Sequence, residues 1–202
     1  MNITLTNLTE DSELKVANAG GISHDNHIES LEEARELNEK LISWGHMSPI
    51  EFGVAGFKVE DASRSFLAQI TRHRMASFMV KSQRYVNHSD MNVVLPESIE
   101  EWLEEDSVNR DTFDQIFNGT KWIYDKMVED GVPKEDARFM LPIGTATDIY
   151  IQTNFREWRH IIKLRGTPEA QWEIREFANE VLDVLYNKAP SIFEDLYEQK
   201  RK

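Results

Sequence analysis

Thr145-Ala146-Thr147-Asp148-Ile149-Tyr150-Ile151-Gln152-Thr153 runs without a break into Asn154-Phe155-Arg156-Glu157-Trp158-Arg159-His160-Ile161-Ile162-Lys163-Leu164-Arg165. The first segment alternates apolar and polar residues and is β-branched, which predicts a strand over 145–153. The second returns to helical spacing, with Trp158 and Ile161 on an apolar face, and predicts a helix over 155–164. On that helix Arg159 and Lys163 read as the solvated side, and Arg165 sits near the C-terminal dipole, where a cation is favoured.

Working outward, residues 1–9 and 52–60 also read as strands, although Gly53 and Gly56 weaken the second. Ser30 with Glu33 forms a capping box for a helix carrying Leu31, Ala34, Leu37, Leu41 and Trp44, and Gly45 is placed to stop it. Asp61 is read as the cap of a helix running to Arg74, with Gln69, Arg72 and His73 at i, i+3 and i+4 on one face. A helix is expected over 112–128, and a short one after Pro133 that Pro142 must end. Thr167-Pro168-Glu169 reads as a cap for a last helix with Ile174, Phe177, Ala178, Val181, Leu182 and Leu185 on one stripe. No linker or repeat interrupts the chain. The expectation is one α+β domain over residues 1–202, a small antiparallel sheet flanked by helices.

Composition narrows the function. With 40% apolar and 29% charged residues the chain is ordinary globular protein. No apolar run approaches the roughly 20 residues that span a bilayer, and the first residues lack a basic head and an apolar stretch, so a cytoplasmic protein with no membrane partner is expected. Asn-x-Ser/Thr strings at Asn2, Asn7, Asn87 and Asn118 are then read as loop residues. There is no cysteine, which removes disulfides, thiolate metal sites and cysteine nucleophiles. A net charge of −13 argues against a nucleic-acid partner.

The cations are concentrated. Residues 62–89 contain no acid but hold Arg64, Arg72, Arg74, Lys81 and Arg84, and residues 149–168 set Arg156, Arg159, His160, Lys163 and Arg165 against Glu157 alone. Cations stacked without carboxylates repel one another, and a bound phosphate would offset that cost. None of the nine glycines falls into a Rossmann or P-loop spacing. Ser48, Pro49 and Glu51 satisfy a capping box, and a metal reading of His46 and Glu51 lacks a third ligand nearby, so no metal is expected.

Arg72-His73-Arg74 with Ser82 eight positions beyond it, in RHRMASFMVKSQRY, resembles the signature of the flavin-dependent thymidylate synthases (the ThyX type). Gly45 to Glu51, Ala137 to Pro142, Asn154 to Arg165 and Ala170 to Glu173 resemble the family's other segments in the same order. The resemblance implies a homotetramer that makes dTMP from dUMP. Methylenetetrahydrofolate would be the carbon donor, with FAD reduced by NADPH. It also implies a dUMP site of Gln69, Arg72, Ser82, Gln83, Arg84, Arg138 and Arg165, with Arg165 as the catalytic group that polarises the uracil. The implied FAD site comprises Ser23, His46, Ser48, Arg72, His73, Arg74, Asn154, Arg156 and His160. The lack of cysteine agrees, because the unrelated thymidylate synthase attacks dUMP with a thiolate.

Three residues depart from the family pattern: Val80 for a glutamate, Gly21 for an arginine before Ser23, and Phe52 for a histidine. They leave one alternative, a non-catalytic homologue that binds nucleotide or flavin. Ser82 has no adjacent base and is not expected to be a nucleophile.

Overall fold

The computed structural model describes residues 1–86 and 92–201. The string at Asn87 therefore lies outside the described residues. The chain is α+β, and its described residues form one antiparallel sheet of four strands in the order β1-β2-β4-β3. The strands are β1 (Asn2–Leu8), β2 (Val54–Ser63), β3 (Ser77–Val80) and β4 (Ala146–Asn154). The helices are α1 (Ser12–Gly21), α2 (Leu31–Ser43), α3 (Arg64–Ile70), α4 (Glu97–Glu105), α5 (Ser107–Glu129), α6 (Lys134–Ala137), α7 (Phe155–Arg165), α8 (Trp172–Lys188) and α9 (Pro190–Lys200).

The chain divides into two compact units. One holds residue 1 with 60–68 and 80–149; the other holds 2–59, 69–79 and 150–202. The first, residue 1 apart, is built from α4, α5 and α6 with Leu103, Tyr124 and Ala137 buried. The second centres on Trp158 of α7. Its ring meets Phe57 edge-on at 5.2 Å and Phe177 at 6.2 Å, and its indole N–H donates to the Ala55 carbonyl at 3.0 Å. That bond satisfies the one polar atom of a fully buried tryptophan.

Several local expectations hold. Ser30 Oγ accepts the Glu33 N–H at 3.1 Å, and Gly45 ends α2 in the left-handed region at φ +76°. The α8 stripe is buried from Ile174 to Leu185. Others are corrected. Asp61 does not cap a helix; it takes φ +56° inside β2, and Ser63 Oγ accepts the Phe66 N–H at 2.9 Å instead. The helix then stops at Ile70, because Thr71, Arg72 and Arg74 are exposed and bring no apolar face to bury. Ser48 makes no side-chain cap: it already has helical angles at the head of a 3-10 turn over Pro49–Phe52. Thr167 is a turn residue, and α8 is capped by Gln171, which accepts from the Glu173 and Ile174 N–H groups.

Arg159 departs furthest from the sequence reading. It is 2% exposed, donates to both carboxylate oxygens of Asp195 at 2.7 and 2.6 Å, and donates again to the Ile192 carbonyl. It ties α7 to α9, a helix whose partner acid lies 36 residues away and is invisible to local spacing. The Asn2, Asn7 and Asn118 strings lie in β1 and α5 rather than in loops. α1, α4 and α9 were not anticipated, nor was β3, which at four residues is too short to show a period. Glu13 explains the buried start of α1: its carboxylate accepts from Ser191 N and Oγ and from Arg35 Nε.

Gly53, between the 3-10 turn and strand β2, has to be a glycine: a Cβ there would run into the Phe155 ring, which packs on Phe193 in the core. We expect Gly53→Ala to cost about 1–3 kcal/mol of stability by overpacking, read from a denaturant melt.

Candidate active site

The site residues expected from sequence fall into both units. In the unit of residues 60–68 and 80–149, Arg84 Nε donates to Glu135 Oε2 at 2.7 Å, and Arg138 Nε donates to the Glu135 carbonyl at 2.9 Å. Ser82 and Gln83 are half-buried beside Arg84, and Ser82 Oγ accepts the Arg84 N–H at 3.2 Å. The hydroxyl is thus engaged as an acceptor for backbone. Arg64, which the sequence reading did not place in the site, has its Nε buried with no hydrogen-bond partner among the described residues. Burial, and then the nearby Arg138 cation, lower its pKa. An anion between these arginines would relieve both effects.

The other unit holds Gln69, Arg72, His73, Arg74, Asn154, Arg156, His160 and Arg165. A cavity of about 500 Å³ is lined by Glu51, Met75, Asn154, Arg156, Glu157 and His160. Helix α7 supplies the last three and the cap of α7 supplies Asn154, whose Oδ1 accepts the Glu157 N–H at 2.9 Å. With Trp158 buried on one face, the 3.6-residue period turns Arg156 and His160 outward on the other. Ser23, His46 and Ser48 are exposed and are not among the residues lining this cavity. Ser23 Oγ donates to the Gly20 carbonyl, and the His46 ring lies edge-on to Trp44 at 5.8 Å.

Beside the cavity residues, Arg165 Nε lies 3.2 Å from His73 Nε2, and His73 Nδ1 lies 3.3 Å from Glu157 Oε1. Arg165 Nη2 reaches the Gln69 carbonyl at 3.5 Å. A guanidinium only donates, so His73 Nε2 carries a lone pair and Nδ1 carries the proton, donated to Glu157. His73 is 4% exposed. Burial first and then the Arg165 cation lower its pKa, with His160 acting in the same direction and Glu157 opposing.

His73, Glu157 and His160 place three potential ligand atoms within 4.8 Å of one another. A metal there would have to displace Arg165 or Glu157 from His73, since both ring nitrogens are engaged, and it would face the Arg165 cation. It is the engaged ring nitrogens and the Arg165 cation, not the donor set itself, that speak against a metal here.

Glu51 and Arg156 form an ion pair at 2.6 Å on the cavity wall. Glu51, Glu157 and Met75 were not expected in the site. Glu51 and Glu157 each follow a cap-type residue by three positions, so their spacing reads as helix-start chemistry and conceals any second role.

The model of the family described as thymidylate synthase complementing protein matches residues 4–191. The chain belongs to this family. A protein of Haloarcula marismortui named flavin-dependent thymidylate synthase is 39% identical, over 86% of this chain and 79% of its own. One of Geobacter sulfurreducens with the same name is 35% identical, over 96% and 86%. One of Sulfurisphaera tokodaii, again so named, is 32% identical over 96% and 76%. Gly21, the departure before Ser23, is demanded by the local fold: a Cβ there would collide with the Asn26 carbonyl, so no arginine fits that backbone. Phe52 is exposed at the end of the 3-10 turn, and Val80 closes β3 half-buried.

His73 makes stability depend on pH with a definite sign. Its folded pKa lies below the ordinary value of about 6.5, so the unfolded chain binds more protons as pH falls through that value. The stability it contributes is present above about pH 6.5 and is lost as pH drops through the folded pKa. The unfolding free energy of the wild type should therefore fall more steeply on acidification than that of His73→Gln, measured by denaturant titration across this range.

Proposed function

We propose that this chain is a flavin-dependent thymidylate synthase, converting dUMP to dTMP with methylenetetrahydrofolate as carbon donor, FAD as cofactor and NADPH as reductant. The observation that carries the reading is the half-buried Arg165 cation, anchored through Nε on a neutral His73 beside the cavity lined by Asn154, Arg156 and His160. That cavity and its donors suit a flavin: a guanidinium for phosphate, an amide and an imidazole for polar ring edges. Bound flavin would supply the hydride that reduces the transferred one-carbon unit to a methyl group.

The chain's own groups have separate tasks. Arg165 polarises the uracil carbonyls and stabilises negative charge on the ring; arginine suits this because it stays protonated. Arg72, Arg84 and Arg138 hold the phosphate, and Gln69, Ser82 and Gln83 meet the pyrimidine and sugar. Binding an anion at Arg84 or Arg156 requires sharing or displacing Glu135 or Glu51, which tunes affinity rather than preventing it. Ser23, His46, Ser48, Arg72, His73, Arg74, Asn154, Arg156 and His160 hold the flavin. Self-association as a homotetramer, with pocket groups drawn from more than one chain, belongs to the same reading, as does a cytoplasmic place. No helix among the described residues is long and apolar enough to cross a membrane.

The purified protein should be yellow and should form dTMP from dUMP, methylenetetrahydrofolate and NADPH. Arg165→Ala should lower kcat by about 100- to 1,000-fold, as loss of one charge-stabilising donor does elsewhere. A colourless protein that cannot be loaded with flavin overturns the reading. The tight Gly21 turn favours one second reading, a binder without turnover, because it removes a cation from the flavin side. Tritium release from 5-labelled dUMP separates them: the enzyme releases it and the binder does not.

A further inference from the structure

Glu157 has no part in the reaction as described above, yet its carboxylate is spent on a single contact that decides the chemistry of its neighbour. It sits three residues after the Asn154 cap, where an acid ordinarily supports the helix start. Its Oε1 instead meets His73 Nδ1 at 3.3 Å, and both side chains are largely buried, 13% and 3% exposed. On the far side of the same ring stands Arg165 Nε at 3.2 Å. A ring with two nitrogens can serve Arg165 as an acceptor only if its one proton is on Nδ1, and that proton then needs an acceptor of its own.

We infer that Glu157 is a positioning residue: it holds His73 in the Nδ1–H form, so that the Nε2 lone pair fixes the guanidinium of Arg165. The inference rests on the reading in which Arg165 acts on the uracil. The geometry leaves little alternative. A proton on Nε2 would face the Arg165 N–H head-on, and an imidazolium would do so as well. Arg165 would then lose its Nε anchor and keep only the 3.5 Å contact to the Gln69 carbonyl. The charged groups facing His73 are Arg165 and Glu157, with His160 ring-to-ring at 5.7 Å.

The test uses the flavin-loaded protein labelled with 15N at its six histidines. Long-range 1H–15N spectra near neutral pH distinguish Nδ1–H from Nε2–H, and His73 is the signal missing in His73→Gln. The expected wild-type state is Nδ1–H alone. In Glu157→Ala that state should be lost while flavin stays bound, and kcat for dTMP formation should fall by about 10- to 100-fold, the scale for a misplaced catalytic group. Glu157→Gln keeps an acceptor oxygen and should restore the Nδ1–H signal and most of the rate. A wild-type His73 protonated on Nε2, or on both nitrogens, overturns the inference, and this result needs no variant at Glu157 to fold. So does a Glu157→Ala protein with unchanged tautomer and unchanged kcat. Failure of the wild type to make dTMP would instead overturn the functional reading, and the spectrum would still decide the tautomer.

Discussion

Burial of Trp158, with its indole N–H on the Ala55 carbonyl, sets the rotation of helix α7, and the candidate site follows from that rotation. Phe155, Ile161 and Ile162 pack on the same side, and Arg159 is drawn inward to Asp195. The remaining positions of a 3.6-residue helix have nowhere to go but the opposite face. Arg156, Glu157 and His160 therefore line one cavity, and Arg165, two turns beyond Trp158, ends the helix within reach of His73. A change that rotated α7 would move all four together.

The cations of this acidic chain are less solitary than a linear charge map implies. Acid-free windows predict unpaired arginines, yet Arg84 pairs with Glu135, Arg156 with Glu51 and Lys81 with Asp148, in each case through acids at least 50 residues away in the chain. Repulsion between cations therefore does not by itself demand an anion at these positions. Arg72 and Arg74 are exposed and have no ion-pair partner among the described residues. Arg165 has a neutral histidine rather than an acid on its Nε, and no ion-pair partner among the described residues. A cation kept bare in a partly buried place is the electrostatic feature that distinguishes this site from the paired surface around it.

The histidine between Arg165 and Glu157 has its proton position fixed by what its two neighbours can donate and accept. Arginine cannot accept, so the direction of the first bond is certain and the direction of the second follows. The same reasoning removes His73 as a free metal ligand and gives Glu157 a task that its place in a helix start conceals.

Much was legible before any coordinates. The switch from alternation to helical spacing at Asn154, the capped and glycine-stopped α2, the buried stripe of α8 and the family segments in order all depend on neighbours within a few residues, and local periodicity carries that information. Tertiary structure alone decided where charges find partners and how far a pattern persists. Arg159 reads as a solvated residue until Asp195 arrives from α9; Asp61 reads as a cap until β2 runs through it to Ser63; Glu157 reads as a cap-supporting acid until His73 is laid against it. In each case the deciding atom belongs to a segment distant in sequence. The energy of a buried hydrogen bond or ion pair depends on that atom's presence, and no spacing rule along one segment encodes it.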